Sequence, residues 1–123
     1  MQGKYATNID YPVVPGGEGS GTVVSSGGGL LAWRLIGKRV AFSQGVSGTG
    51  FKSGGAFAEY AIVDRKYCIV LPDQTSFEKG ACSLTNPLSA VGLFERCREL
   101  KANTVILTGP VSQLGRMTLR LLR

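Results

Sequence analysis

A run of small residues near the C-terminal end of the sequence is the segment best suited to bind a phosphate group. Residues 109–112 (Gly-Pro-Val-Ser) follow a β-branched run and precede a helical pattern that contains Gly115. At such a strand-to-helix turn, backbone N–H groups and the helix dipole converge and can hold a pyrophosphate. The run is not a strict G-x-G-x-x-G, so on these residues alone an ordinary tight turn is an equally good interpretation.

Two carboxylates and three thiols are the other side chains that could take part in chemistry. Glu18 lies in a glycine-rich turn and Glu59 in a β-like run. Contacts to backbone amides or an arginine, and a solvent-facing strand position, are simpler interpretations of the two than catalysis. The cysteines Cys68, Cys82 and Cys97 are odd in number and form no C-x-x-C, and the chain has no histidine. They are predicted to be reduced structural thiols.

The first half of the sequence, which contains both carboxylates and precedes the turn, is predicted to form an irregular β-barrel. Most of the 18 glycines lie there, and glycine favours tight turns over helices. Short β-branched and aromatic runs separate the glycines, as in a chain of short strands. The predicted strands are residues 22–24, 39–42, 56–63 and 67–71.

The pattern becomes helical after Pro72. A capping box at residues 75–78 (Thr-Ser-Phe-Glu) predicts that a helix starts at Thr75. Apolar residues at helical spacing predict an amphipathic helix over residues 89–101, a buried strand follows at residues 104–108, and a second amphipathic helix comes after the turn. The predicted apolar faces are Ala90, Leu93, Phe94, Cys97 and Leu100 on the first helix, and Leu114, Met117, Leu121 and Leu122 on the second.

The predicted strand at residues 104–108 leads to the expectation that the chain is a fragment. Strand, glycine turn and helix form the opening βα unit of a doubly wound domain. A parallel strand needs further strands beside it to bury both faces, and no further strand follows. Such a chain is expected to expose apolar surface at residues 105–107 and along the second helix, and therefore to oligomerise or aggregate.

Composition and charge narrow the class of protein. The chain has 123 residues, of which 43% are hydrophobic and 18% charged, which is typical of one globular domain core. No run is long enough to span a membrane and the N-terminus lacks a hydrophobic signal region, so a soluble cytoplasmic protein without a membrane partner is expected. The net charge of +6 is scattered apart from Arg116, Arg120 and Arg123 on one helical face; nucleic acid is therefore not expected as a partner.

Six short motifs occur in a familiar order and spacing: residues 11–21, 37–41, 55–60, 71–73, 86–90 and 108–115. Together they resemble the medium-chain dehydrogenase/reductase superfamily, and most closely its quinone oxidoreductase and enoyl reductase branch. The resemblance covers nearly all of residues 5–123.

This resemblance implies a mixed α/β fold. Residues 1–74 would form a partial GroES-like β-barrel on the substrate side, and residues 75–123 the linking helices and first βα unit of a Rossmann-type NAD(P)-binding domain. The parent protein would be a homo-oligomer that transfers a hydride to a small electrophile, a quinone or an α,β-unsaturated carbonyl, with NADP(H) favoured over NAD(H). The isolated chain is expected to be inactive. The alternative is a non-catalytic interaction or regulatory fragment that binds a protein partner.

The residue before Glu18 bears on zinc. Zinc-dependent members of the superfamily carry a histidine there, whereas this sequence has Gly17. The four-cysteine zinc loop is also absent, and a chain without histidine lacks the commonest ligand of a catalytic zinc. The prediction is an enzyme without zinc, suited to an already activated acceptor.

The resemblance also implies cofactor-binding positions but no catalytic residue. Asn86 and Ser89 match an Asn and a Thr that lie beside the nicotinamide in related enzymes; the alternative is that they are helix caps, with Pro87 at the first helical position. Pro110 and two of the matched turn residues, Ser112 and Gln113, depart from the usual Gly-Ala-x-Gly-Gly-Val-Gly. The positions that match the pyrophosphate turn are Gly109, Val111, Ser112, Gln113, Leu114 and Gly115.

Overall fold

The computed structural model describes residues 14–43 and 55–123. The chain divides into two compact units, Met1–Ala81 and Cys82–Arg123. Within the described residues, no helix is both long and apolar enough to cross a membrane.

A small antiparallel sheet forms the centre of the first unit. Its strands are β1 (Glu18–Thr22), β2 (Arg39–Ser43) and β3 (Cys68–Val70), in the order β1-β2-β3. The β1–β2 register runs from Glu18 opposite Ser43 to Thr22 opposite Arg39. Val40 and Ala41 of the central strand are both buried; because neighbouring residues of a strand point to opposite faces, both faces of β2 are covered here. The mixed α/β fold class is thereby confirmed.

Helix α2 (Phe77–Ala81) packs on β1 and β2. The Ser20 hydroxyl donates to the Phe77 carbonyl, and the helix can approach closely because Gly80 has no side chain: a Cβ there would lie 2.6 Å from Leu71 Cδ1. Arg39 joins the same elements, since its guanidinium donates to the carbonyls of Asp73, at 2.7 Å, and Thr75, and lies 4.5 Å from the centre of the Phe77 ring.

A closed loop connects β1 to β2. It contains the one-turn helix α1 (Leu30–Trp33), and its two ends are joined by backbone hydrogen bonds from Val23 N to Lys38 O, at 3.0 Å, and from Gly37 N to Val23 O, at 2.8 Å. Gly37 adopts φ 77°, a conformation that favours glycine. Among the described residues of the first unit, this loop carries five exposed large apolar side chains.

Several predicted elements of this unit are displaced or absent. The first strand is Glu18–Thr22 rather than residues 22–24. Residues 56–63 form bends and coil instead of a strand; only their start is held, by bonds from Ala56 N to Gly16 O and from Phe57 N to Pro15 O. The fourth predicted strand, residues 67–71, is present but shorter: Tyr67 ends a 3₁₀ turn, Arg65–Tyr67, and β3 spans Cys68–Val70. A β-branched run without a partner strand among the described residues cannot satisfy its backbone as a strand.

The predicted helix start in the same unit is one residue too early. Ser76, not Thr75, caps α2, because the Ser76 hydroxyl accepts from the Lys79 N–H at 3.4 Å. The two neighbouring hydroxyl residues are equivalent in the pattern, and the packing of α2 on the sheet selects between them.

Two helices form the second unit. Helix α3 (Thr85–Glu99) starts before the predicted residue 89, and it packs against α4 (Gln113–Leu122). The buried helical residues are small: Ala90 on α3, and Gly115 and Thr118 on α4. The predicted buried face of α3 is wrong in part, because Leu93 and Leu100 are exposed.

The strand predicted at residues 104–108 is not formed. No strand lies beside these residues in the described part of the chain, and Ile106 is 91% exposed. The predicted apolar exposure at this place is confirmed for Val105 and Ile106. A buried parallel strand depends on neighbours on both edges, so the β-branched run alone does not produce one.

Candidate nucleotide-binding turn

The turn before α4 is held by one serine. The Ser112 hydroxyl donates to the Gly109 carbonyl at 2.8 Å and accepts from the Gly115 N–H at 3.0 Å. The Ser112 N–H also donates to Gly109 O at 3.1 Å. Ser112 is therefore the N-cap of α4 and fixes the helix to the turn from both sides.

Two glycines shape the same turn. Gly109 adopts φ 65°, which favours glycine. A Cβ on Gly115 would collide with the Gly109 carbonyl oxygen and lie 2.8 Å from Pro110 Cα. The absence of a side chain at Gly115 thus allows the first turn of α4 to pack directly on the chain that leads into it.

The first two residues of α4 leave their backbone donors available. Arg116 N donates to Ser112 O at 2.9 Å, and Gly115 N is taken by the Ser112 hydroxyl. Among the described residues, the N–H groups of Gln113 and Leu114 have no acceptor. The Gln113 side chain accepts from Arg116 at 3.0 Å and Val111 is exposed.

This arrangement fits the phosphates of a dinucleotide. Two available N–H groups at a helix N-terminus, with no acidic residue in its first turn, form a local site of positive potential for an anion. A side chain at Gly109 would strain the backbone, which has a positive φ there. A side chain at Gly115 would collide with the residues that lead into α4. The predicted residues Gly109, Val111, Ser112, Gln113, Leu114 and Gly115 thus lie on one turn, and their role in cofactor binding stays a prediction.

The other two predicted cofactor residues lie in the first two turns of α3. Ser89 donates from its hydroxyl to the Thr85 carbonyl at 2.7 Å, and Asn86 is half-buried. Neither is a cap: the N-cap is Leu84, without a side-chain hydrogen bond, and Pro87 occupies the third rather than the first helical position. No hydrogen bond joins Asn86 or Ser89 to the turn within residues 82–123. Their nicotinamide contact also stays a prediction.

The remaining chemical candidates are two carboxylates and three thiols. Glu18 is half-buried in β1, and Glu59 is exposed in a bend rather than on a strand. The three cysteines are free thiols. Partial burial raises the pKa of Cys68, and the nearby Asp64 carboxylate adds to the effect. Cys82 is exposed, so a structural role does not fit it.

Sequence reasoning missed Arg39 as a structural residue. In the sequence, Arg39 is one of the scattered cations, starts a predicted strand and lies in the Gly-Lys-Arg-Val-Ala motif at residues 37–41, but none of these features assigns it a partner. The motif position was the available signal. Its bonds to backbone carbonyls require the tertiary structure, because those carbonyls lie more than thirty positions away in the chain.

The sheet and the capped turn define a mixed α/β protein in which a part that contains the sheet is followed along the chain by a helical part. Residues 1–73 match the family of alcohol dehydrogenase GroES-like domains. The chain belongs to that family. Its predicted place in the medium-chain dehydrogenase/reductase superfamily, in the quinone and enoyl reductase branch, is confirmed by its similarity to reductases of both kinds.

The chain is similar to three known proteins over different parts of its length. The chain is 35% identical over 74 residues to a trans-enoyl reductase from Aspergillus terreus, covering 58% of this chain and 24% of the relative. It is 37% identical to an (R,R)-butanediol dehydrogenase from Bacillus subtilis, covering 88% and 36%. The crystal structure of a candidate NADPH:quinone reductase from Mesorhizobium loti matches with 36% identity and a TM-score of 0.77, covering 86% of this chain and 29% of that one.

The chain therefore spans between a quarter and about a third of the length of the relatives it matches.

Proposed function

We propose that this chain is a segment of an NADP(H)-dependent oxidoreductase that transfers a hydride to a quinone or an α,β-unsaturated carbonyl. The observation that carries the proposal is the turn before α4, where Gln113 and Leu114 present unpaired N–H groups and Gly115 cannot accept a side chain. The names of two relatives, a trans-enoyl reductase and an NADPH:quinone reductase, support the substrate class and the cofactor.

The turn would hold the pyrophosphate of the cofactor. The N–H groups of Gln113 and Leu114 would donate to phosphate oxygens, and the positive end of the α4 dipole would stabilise their charge. Ser112 keeps the turn in place, and its hydroxyl is already engaged in two hydrogen bonds. Asn86 and Ser89 are proposed to lie beside the nicotinamide and to orient it; the cofactor, when bound, supplies the hydride.

Zinc independence and assembly belong to the same proposal. Gly17 stands where zinc-dependent members have a histidine, and the sequence contains no histidine. An acceptor that is already electrophilic needs no Lewis acid to polarise it. Because one relative is a butanediol dehydrogenase, metal analysis of the purified protein is the direct check. We propose further that the parent protein is cytoplasmic and homo-oligomeric. These 123 residues alone are proposed to have no catalytic activity.

The test is to titrate the full 123-residue chain with NADPH and follow backbone amide resonances by NMR. The expected result is that the Gln113 and Leu114 amides shift most, without oxidation of NADPH when a quinone is added. Gly115→Ala should abolish the shifts, because its Cβ would collide with Gly109 O.

The matched control is Gly92→Ala, a helical glycine of the same unit with open space around it. This variant should bind like the parent sequence. Shifts confined to residues outside the turn, or equal binding by the Gly115→Ala variant, would refute a nucleotide-binding role for the turn.

A further inference from the structure

The loop that connects β1 to β2 presents apolar side chains on an ordered backbone. Trp33 N donates to Gly29 O at 3.0 Å, and Ile36 N donates to Trp33 O at 3.0 Å. With its ends joined between Val23 and Lys38, the loop is a small closed structure. These backbone hydrogen bonds hold the loop in the conformation that exposes its side chains.

Five large apolar residues of this loop are exposed. Their exposed fractions lie between 42% and 70%, whereas Ala32 and Leu35 of the same loop are turned further inward. A concentration of apolar surface in so short a segment is typical of an interaction site. The exposed residues are Val24, Leu30, Leu31, Trp33 and Ile36.

The charge of the loop has one sign. Arg34 and Lys38 are exposed, and neither forms an ion pair within residues 14–43 and 55–123. The sequence has no acidic residue between Glu18 and Glu59. An apolar tip with tryptophan and leucine, flanked by unopposed cations, has the composition of segments that bind to the interface of a membrane with anionic lipids.

We propose that residues 23–38 dock onto an anionic lipid bilayer, with Trp33, Leu30 and Leu31 entering the headgroup region and Arg34 and Lys38 contacting lipid phosphates. A symmetric contact between two copies would oppose their cations, which disfavours a second copy as the occupant. The binding is peripheral and requires no membrane-spanning helix. It departs from the expectation of no membrane partner, which rested on the lack of a span.

Trp33 is the only tryptophan of the chain and therefore reports on this loop directly. The full chain is mixed with vesicles of phosphatidylcholine alone, or of phosphatidylcholine with phosphatidylserine, and binding is followed by co-sedimentation and tryptophan emission. The expected result is a blue shift and co-sedimentation only with the anionic vesicles. Arg34→Gln should weaken binding about fivefold and Leu31→Ser about tenfold.

The matched control is Ile62→Ser, which removes an equally exposed aliphatic residue of the same unit outside the loop and should leave binding unchanged. Three results would overturn the proposal. They are equal binding to both kinds of vesicle, no binding to either, and a blue shift that follows protein concentration without lipid, which would identify a second copy as the occupant.

Discussion

At the residue scale, Ser112 is the most connected side chain of the candidate site. It is a donor to Gly109 and an acceptor from Gly115, so it stabilises the turn and starts α4. It departs from the motif of related enzymes, which has glycine at this position. The structure gives the departure a physical reason: the hydroxyl supplies a cap that glycine lacks.

We expect Ser112→Ala to lower the free energy of unfolding by about 1 kcal/mol, the usual cost of losing an N-cap. Ser112→Gly should cost only a few tenths, since glycine is itself tolerated as a cap. Urea denaturation followed by far-ultraviolet circular dichroism measures both, because α3 and α4 supply most of the helix. Ser25→Ala, at an exposed loop serine, is the control; equal stability of all three variants would contradict the capping role.

At the element scale, α2 depends on a close approach to the sheet. Gly80 is buried, and a Cβ there would meet Leu71 Cδ1 at 2.6 Å and Ser20 Cβ at 3.1 Å. Gly92, on α3, is a helical glycine with nothing within 4 Å of the added Cβ. Alanine substitutions at these two glycines therefore separate the effect of helix propensity from the effect of packing.

Gly80→Ala is expected to destabilise the first unit by about 1–2 kcal/mol, because the crowding outweighs the helix propensity of alanine. Gly92→Ala should stabilise the second unit by up to about 1 kcal/mol. Amide hydrogen exchange in β2 is the probe for the first unit, and ellipticity is the probe for the helical second unit. The interpretation fails if both substitutions change stability in the same direction.

The first turn of α2 also gives the chain an acid-sensitive element. Hydrogen bonds from its own backbone N–H and from the Ser76 side chain lower the pKa of Glu78 below its ordinary value of 4.5. A carboxylate with a lowered folded pKa stabilises the fold at pH values above the ordinary pKa, and this contribution is lost as the pH falls through the folded value.

Glu78→Gln should therefore reduce the loss of stability on acidification below about pH 4.5. The midpoint of urea denaturation as a function of pH measures it, with Glu59→Gln as the control for removing an exposed carboxylate. An unchanged pH dependence in the Glu78 variant would show that its hydrogen bonds do not contribute.

At the scale of the whole molecule, exposed apolar surface is the dominant feature. Val105 and Ile106 are exposed beside the candidate turn, and the chain spans only part of its relatives' length. A chain with such surface gains free energy by covering it. Self-association of the isolated chain is the expected consequence.

Ile106→Ser should lower the weight-average mass seen in sedimentation velocity at a fixed protein concentration, because it removes the most exposed aliphatic side chain of the second unit. Thr108→Ser is the control, since it changes an exposed polar residue two positions away. Identical sedimentation of the three proteins would mean that residues 104–108 do not mediate association.

Local chemistry allowed the sequence to determine a good part of this protein by itself. The ordered glycine and proline motifs established the family, the spacing of apolar residues indicated the two long helices, and residues 109–115 marked the capped turn, because caps and tight turns depend on neighbouring residues. The central strand at Arg39–Ser43 was also predictable, since it is a short run of β-branched and aromatic residues.

Only the tertiary structure decided which β-like runs became strands and which apolar residues were covered. Residues 56–63 and 104–108 have β propensity but no partner strand among the described residues, and a strand exists only when another chain segment satisfies its backbone. The same holds for Arg39, whose partners are distant carbonyls, and for the exposed loop of residues 23–38. These outcomes depend on contacts between segments far apart in sequence, which local patterns do not contain.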